Sequence, residues 1–234
     1  MAFSMTDMSL EERFAGLDVD KARFVSKVYS GLTFSLMIAT IACIVGIQWF
    51  QTMPRPQLKT TMIILIVAEV ALLLITSFMR LKGTIGWVAL FSIVTLSGLT
   101  LAPTIMYYNQ IGPSGTVAAA TALTGIIFLT LTGYVRYSGK DFSYLGGFLW
   151  MGTIALVLTG LASLFFPGFG AAVHYWRACI GALIFSGWIL FDTSAVTRQY
   201  YREENVVGAI LALYLDILNL FIYLLQIVGN RDRH

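Results

Sequence analysis

The chain has 234 residues, 58% of them hydrophobic and only 12% charged, with a mean hydropathy of +0.79 and a formal net charge of +3. Soluble domains carry about 25% charged residues, so this composition describes an integral membrane protein with little beyond spans and short loops. No basic cluster with interleaved aromatics occurs, which argues against nucleic acid as a partner.

The first residues, 1–24, read as a polar cytoplasmic segment of mixed charge without a small-residue processing site, so no cleaved signal peptide is expected. Residues 25–230 then read as one membrane domain and 231–234 as a short tail. Runs long enough to cross a bilayer fall at 25–50, 60–79, 85–108, 116–135, 142–166, 174–194 and 206–228. Met53-Pro54-Arg55-Pro56 breaks after the first and Arg80-Leu81-Lys82-Gly83 after the second. The segment from Asn109 to Gly115 follows the third, and that from Arg136 to Asp141 the fourth. Pro167-Gly168-Phe169-Gly170 ends the fifth, and Arg198 to Asn205 forms the most polar loop. The runs are too long for barrel strands and lack their alternation. The fold class expected is an all-α, seven-helix membrane bundle.

Lysine and arginine placement orients the bundle. Arg13, Lys21, Arg23, Lys27, Arg80, Lys82, Arg136, Lys140, Arg198 and Arg202 fall on one side, against Arg55, Lys59, Arg177, Arg231 and Arg233 on the other. The positive-inside rule then makes the amino terminus cytoplasmic and the carboxyl terminus external. Cys43 and Cys179 lie inside apolar runs without metal-ligand spacing and read as buried thiols. Ala155, Thr159 and Ser163 on the fifth span suggest a close helix contact, and Pro103 a kink in the third.

Three acids stand inside apolar runs: Glu69, Asp192 and Asp216. An ionisable group at such depth is costly and faces a bundle interior or a water-filled cavity. On the last span Asn205, Gly208, Ala212, Asp216, Asn219, Tyr223, Gln226 and Asn230 recur at helical spacing. Residues three and four apart share a face, so this stripe should turn away from lipid and set the seventh helix at the centre. Asn219 and Tyr223, with Glu69, are candidate pathway-lining residues. Glu69 and Arg80 share a face of the second span but lie about 16 Å apart along its axis, too far to pair. At the cytoplasmic end Arg80 could equally snorkel to headgroups.

Asp192 lies six residues before the sixth loop and Asp216 ten residues after it, taking the loop as ending near Val206. On antiparallel neighbours their depths differ by about 6 Å, within side-chain reach. Two such carboxylates cannot easily both ionise; they share a proton and titrate as a unit. That makes the pair a candidate proton sensor, with Arg80 able to hold an ionised Asp192. Ionised, the pair offers hard oxygens to calcium, though it falls short of the full calcium shell, so any metal site there is weak and water-rich.

Leu213-Tyr214-Leu215-Asp216-Ile217-Leu218-Asn219-Leu220-Phe221 and the ending Leu224 to Asn230 resemble the final-span signature of the Bax inhibitor motif family, in its bacterial form. Lys140-Asp141-Phe142-Ser143-Tyr144-Leu145-Gly146-Gly147 is similar to its loop-to-fifth-span motif, and Phe191-Asp192-Thr193 to its sixth-span aspartate segment. The resemblance implies a pH-sensitive calcium leak channel in a membrane, the cell (inner) membrane in a bacterium. It implies Asp192 and Asp216 as sensor and Arg80 as latch, with Lys82 a rival for the latch. No cofactor is implied; calcium is the transported ion, protons the effector and the bilayer the surroundings. Two other readings stay open: a membrane regulator that binds a protease or another membrane complex, and a cation/proton exchanger. An enzyme is not expected. Gly112-Pro113-Ser114-Gly115 superficially matches an intramembrane serine protease motif, but His174 and His234 are the only histidines and neither sits where a base is needed.

Overall fold

Proline and glycine set where the helices stop and start. The computed structural model describes residues 10–79, 83–198 and 205–230, and among these the chain forms seven α-helices and no strand. They are α1 (Leu10–Gln51), α2 (Arg55–Met79), α3 (Gly83–Ile111), α4 (Thr116–Ser138), α5 (Gly146–Phe165), α6 (Pro167–Arg198) and α7 (Val206–Gly229). A single 3-10 turn, Ser143–Leu145, leads into α5. After α1 the amides of Thr52 and Met53 bond back to the Trp49 and Phe50 carbonyls, and Pro54 ends the helix. Gly139 closes α4 at φ 60°, its amide bonded to the Val135 carbonyl, a cap that only glycine adopts without strain.

All seven helices are long and apolar enough to cross a membrane, and the protein is an integral membrane protein. Two boundaries differ from the sequence reading. Helix α1 begins at Leu10, inside the segment read as merely polar. Helix α6 begins at Pro167, so Pro-Gly-Phe-Gly opens the sixth helix and does not simply end the fifth. The reason is that proline's missing amide costs nothing in a first helical turn. Helix α3 runs on through Pro103.

Helix α7 touches α1, α3, α4 and α6, while α2 leans mainly on α3 and α5 on α6. Half of the apolar window of α7 is buried and none of that of α2. The seventh helix is therefore the axis and the second an outer one. On one half of the bundle Val28, Leu32, Leu90, Ile93, Ile210 and Leu213 form the core. On the other, Phe50, Ile105, Ile189, Leu220, Leu224 and Leu225 do so. Ile63, Ile64 and Val67 of α2 and Phe148, Trp150 and Met151 of α5 point outward, as lipid-facing residues must.

Lipid tails are as apolar as leucine, so close backbone approach replaces hydrophobic burial as the glue between such helices. Gly98 of α3 lies against the Ala39 backbone of α1, Gly152 of α5 against Ile184 of α6, and Gly187 of α6 against Leu149 of α5. The series expected on the fifth span does not work this way. Ala155 is exposed, and the Thr159 and Ser163 hydroxyls bond carbonyls of their own helix.

Candidate functional site

The short connection from Arg198 to Val206 makes α6 and α7 antiparallel neighbours in contact along their length. That contact brings Asp192 and Asp216 together, close enough for their carboxyl groups to interact. Asp216 is 5% exposed and Asp192 half-buried. Both oxygens of an ionised carboxylate only accept, so a hydrogen bond between two carboxyl groups needs a proton on one of them. Two full negative charges at about 4 Å repel by about 4 kcal/mol even at an effective dielectric of about 20. The arrangement can thus take up a proton and lose it again. The Oδ2 atom of Asp216 is buried without a partner.

Helix α6 is held firmly around Asp192. The Trp188 indole donates to the Thr153 hydroxyl of α5 at 2.9 Å. The Ser194 hydroxyl accepts the Phe142 amide at 3.3 Å, and the Phe191 ring covers Gly146, where a Cβ would meet it at 3.0 Å. The Lys140–Gly147 segment and the Phe191–Thr193 segment, read separately in the sequence, are one packed unit. Asp141 starts that unit: its carboxylate accepts the Ser143 amide at 2.9 Å, which holds its pKa below the ordinary carboxylate value. Beside Asp192, the Thr193 hydroxyl lies near those of Tyr29 on α1 and Thr132 on α4. All three are buried, and none makes a direct hydrogen bond.

The polar stripe of α7 is buried in part. Asn205 and Gly208 are exposed, while Asn219, Tyr223 and Gln226 are half-buried. The Asn219 amide donates to the Leu215 carbonyl of its own helix at 2.7 Å. Tyr223 lies on α6, over Gly181 and stacked on Phe185 with ring centroids 5.8 Å apart. The stripe therefore faces α6 from Asp216 to Tyr223.

Glu69 belongs to a different cluster. Its carboxylate accepts the Thr100 hydroxyl of α3 at 2.9 Å, and Thr100 lies 3.1 Å from the Ser97 carbonyl. The Ser97 hydroxyl donates to the Val94 carbonyl at 3.0 Å and is bonded to the Tyr214 hydroxyl. Tyr214 and Asp216 are two residues apart, about 200° around the helix, so the two clusters flank α7 from opposite sides. Sequence reading missed Ser97, Thr100 and Tyr214; nothing in their spacing marks them. Arg80 and Lys82 lie outside the described residues.

The hydroxyl pair makes a test of this second cluster. Tyr214→Phe leaves Ser97 bonded to Val94 and should cost about 1 kcal/mol. Ser97→Ala strands the fully buried tyrosine hydroxyl and should cost more, about 1–3 kcal/mol. Apparent melting temperatures in detergent give the order; a phenylalanine variant weaker than the alanine one would refute this account of the pair.

Among the described residues no group of three or more His, Cys, Asp or Glu side chains could hold a metal. The aspartate pair offers at most about four oxygens, against the roughly 6–8 that calcium takes. Any calcium here would keep much of its water.

A seven-helix membrane protein with paired carboxyl groups against its central helix is the class these features define. The family model described as inhibitor of apoptosis-promoting Bax1 matches residues 21–233. Bax inhibitor 1 of Schizosaccharomyces pombe is 36% identical over 152 residues, 64% of this chain and 55% of its own. An uncharacterised protein of Campylobacter jejuni is 33% identical over 208 residues, 88% of each chain. Protein lifeguard 4 of Mus musculus is 30% identical over 205 residues, covering 87% of this chain and 83% of its own. The chain belongs to the Bax inhibitor-1 family.

Proposed function

We propose that this protein is a calcium leak channel whose conductance follows the protonation of the Asp192–Asp216 pair. The observation that carries the reading is the meeting of two carboxyl groups from antiparallel helices in the bundle interior. A proton there changes the charge between α6 and the central helix α7. In this reading the amino terminus is cytoplasmic, from the ten-to-five division of Lys and Arg. Arg80 holds Asp192 while it is ionised. The sign follows: the latch is engaged at higher pH and lost as Asp192 takes up a proton, so the leak rises with acid.

Purified protein in liposomes with an internal calcium dye tests this across pH. Downhill calcium flux that grows as pH falls is expected. Uphill movement driven by a proton gradient alone would make the protein an exchanger. Absence of flux at every pH would remove the channel reading and leave regulation of a membrane partner. Arg80→Ala should raise the leak at neutral pH, and an unchanged neutral leak counts against the latch.

A further inference from the structure

We propose that the hydroxyls of Tyr29 on α1, Thr132 on α4 and Thr193 on α6 hold a buried water, and that this water passes protons from a cavity at one end of the bundle to the aspartate pair. Thr193 is fully buried and Thr132 is 8% exposed. The three hydroxyl oxygens are close enough to interact, yet each is buried without a direct hydrogen bond. Threonines elsewhere in the bundle bond a carbonyl of their own helix, as Thr124 and Thr197 do. Thr132 and Thr193 forgo that bond, so their hydroxyls are kept for another partner. A buried water makes about three hydrogen bonds to polar groups that otherwise lack them, and this cluster offers three.

A cavity of about 930 Å³ between α1, α4 and α6 adjoins the cluster. Tyr29 belongs to its wall, together with Val135 and Arg136 of α4 and Thr197 of α6. Thr132 lies one turn before Arg136 and Thr193 one turn before Thr197, on the same helix faces, so the cluster forms the floor. Ser26, Ser30 and Thr33 of α1 also line the cavity and are exposed, which admits bulk water. Asp192 is next to Thr193 in the chain and differs from it in depth by about 1.5 Å. A chain of hydroxyls and water carries a proton over that step without a titrating group of its own. Among the described residues, the ionisable groups around the route are Asp216 on α7, Tyr29 itself, and Lys21, Arg136 and Arg198 in the wall, with Asp141 near Arg198. Helix α5 carries none. Those charges set the pH at which the pair takes up its proton; the hydroxyl cluster sets how fast the proton arrives.

The water site stands without calcium conduction, whereas proton delivery rests on the proton-sharing reading of Asp192 and Asp216. The full chain in lipid nanodiscs tests both. X-ray pulses turn water in place into hydroxyl radicals, and mass spectrometry reads which side chains they oxidise. Tyr29 should be labelled well above Tyr214, which is fully buried with its hydroxyl bonded to Ser97. Thr132→Val combined with Thr193→Val keeps the shape and removes the hydroxyls, so Tyr29 labelling should fall toward that of Tyr214. Labelling of Tyr29 that is unchanged in this variant comes from exposure of its ring alone and overturns the water site. The infrared band of protonated carboxyl groups, followed after a rapid drop in pH, reads the delivery. Thr193→Val and Tyr29→Phe should slow its rise by about tenfold, the size of one lost hydrogen bond, and leave its final height unchanged. Thr124→Val, which removes a hydroxyl satisfied within its own helix, should change neither readout. A rise as fast in the cluster variants as in wild type overturns the route. A band that fails to respond to pH in wild type overturns the proton-sharing pair and the route with it, and labelling still decides the water site.

Discussion

Asp192→Asn is expected to raise calcium leak at neutral pH by about tenfold and to leave it nearly flat as pH falls, since one proton shifts a two-state equilibrium by at most about tenfold per pH unit. Asparagine has nearly the shape of the protonated acid and cannot ionise, so on the proposed reading it escapes the Arg80 latch. The variant should behave at pH 7 as wild type behaves in acid. Asp216→Asn predicts the opposite. It removes the charge that makes a proton on Asp192 favourable, while Asp192 still ionises and still engages the latch. The leak should then stay low until the medium is more acid than wild type requires.

This contrast separates a sensor from a structural pair. If the two aspartates only glued α6 to α7, both substitutions would act alike, since Asn can donate to the remaining carboxylate, or accept from it once it is protonated. Liposome flux measured from pH 5 to 8 on both variants decides the matter. Profiles that move in the same direction would sink the proton-sharing mechanism, even if each variant conducts. Flux is the readout because folding is little at stake. Asn fills the same volume, and the packing of Phe191 on Gly146 and of Trp188 on Thr153 holds α6 without the carboxylates.

The seven spans were legible in the sequence because a bilayer demands about 20 apolar residues per helix, and charged or Pro/Gly-rich loops interrupt the runs. The juxtaposition of Asp192 and Asp216 was legible for a related reason. A short loop forces two helices to be antiparallel neighbours, and rise per residue then fixes relative depth. What remained hidden depends on helix rotation, which no single span reveals. Glu69 finds Thr100 because α2 leans on α3 with that face turned inward. The hydroxyls of Thr159 and Ser163 looked like interhelical contacts but are satisfied within α5.

Gly98→Ala is expected to destabilise the protein by about 1–3 kcal/mol, although alanine is the better helix former. A Cβ at Gly98 would fall against the Ala39 carbonyl oxygen and within 2.8 Å of the Ala42 Cβ. Both belong to α1, and a backbone carbonyl has no rotamer by which to yield, so α1 itself must move. Gly46 of α1, whose Cβ would come within 2.9 Å of Ala102, keeps the same two helices close further along. Gly125 of α4 supplies the contrast, since nothing lies within 4 Å of a Cβ placed there. Gly125→Ala should be neutral or gain up to about 1 kcal/mol from helix propensity. The difference between the two variants in apparent melting temperature isolates the steric part, and equal melting temperatures would mean that the α1–α3 contact is looser than described. The consequence extends to the axis of the bundle. Val28 and Leu32 of α1, Leu90 and Ile93 of α3, and Ile210 and Tyr214 of α7 share one core, so a displaced α1 disturbs α7 two residues from Asp216. Gly98→Ala should therefore also alter calcium flux, while Gly125→Ala should not.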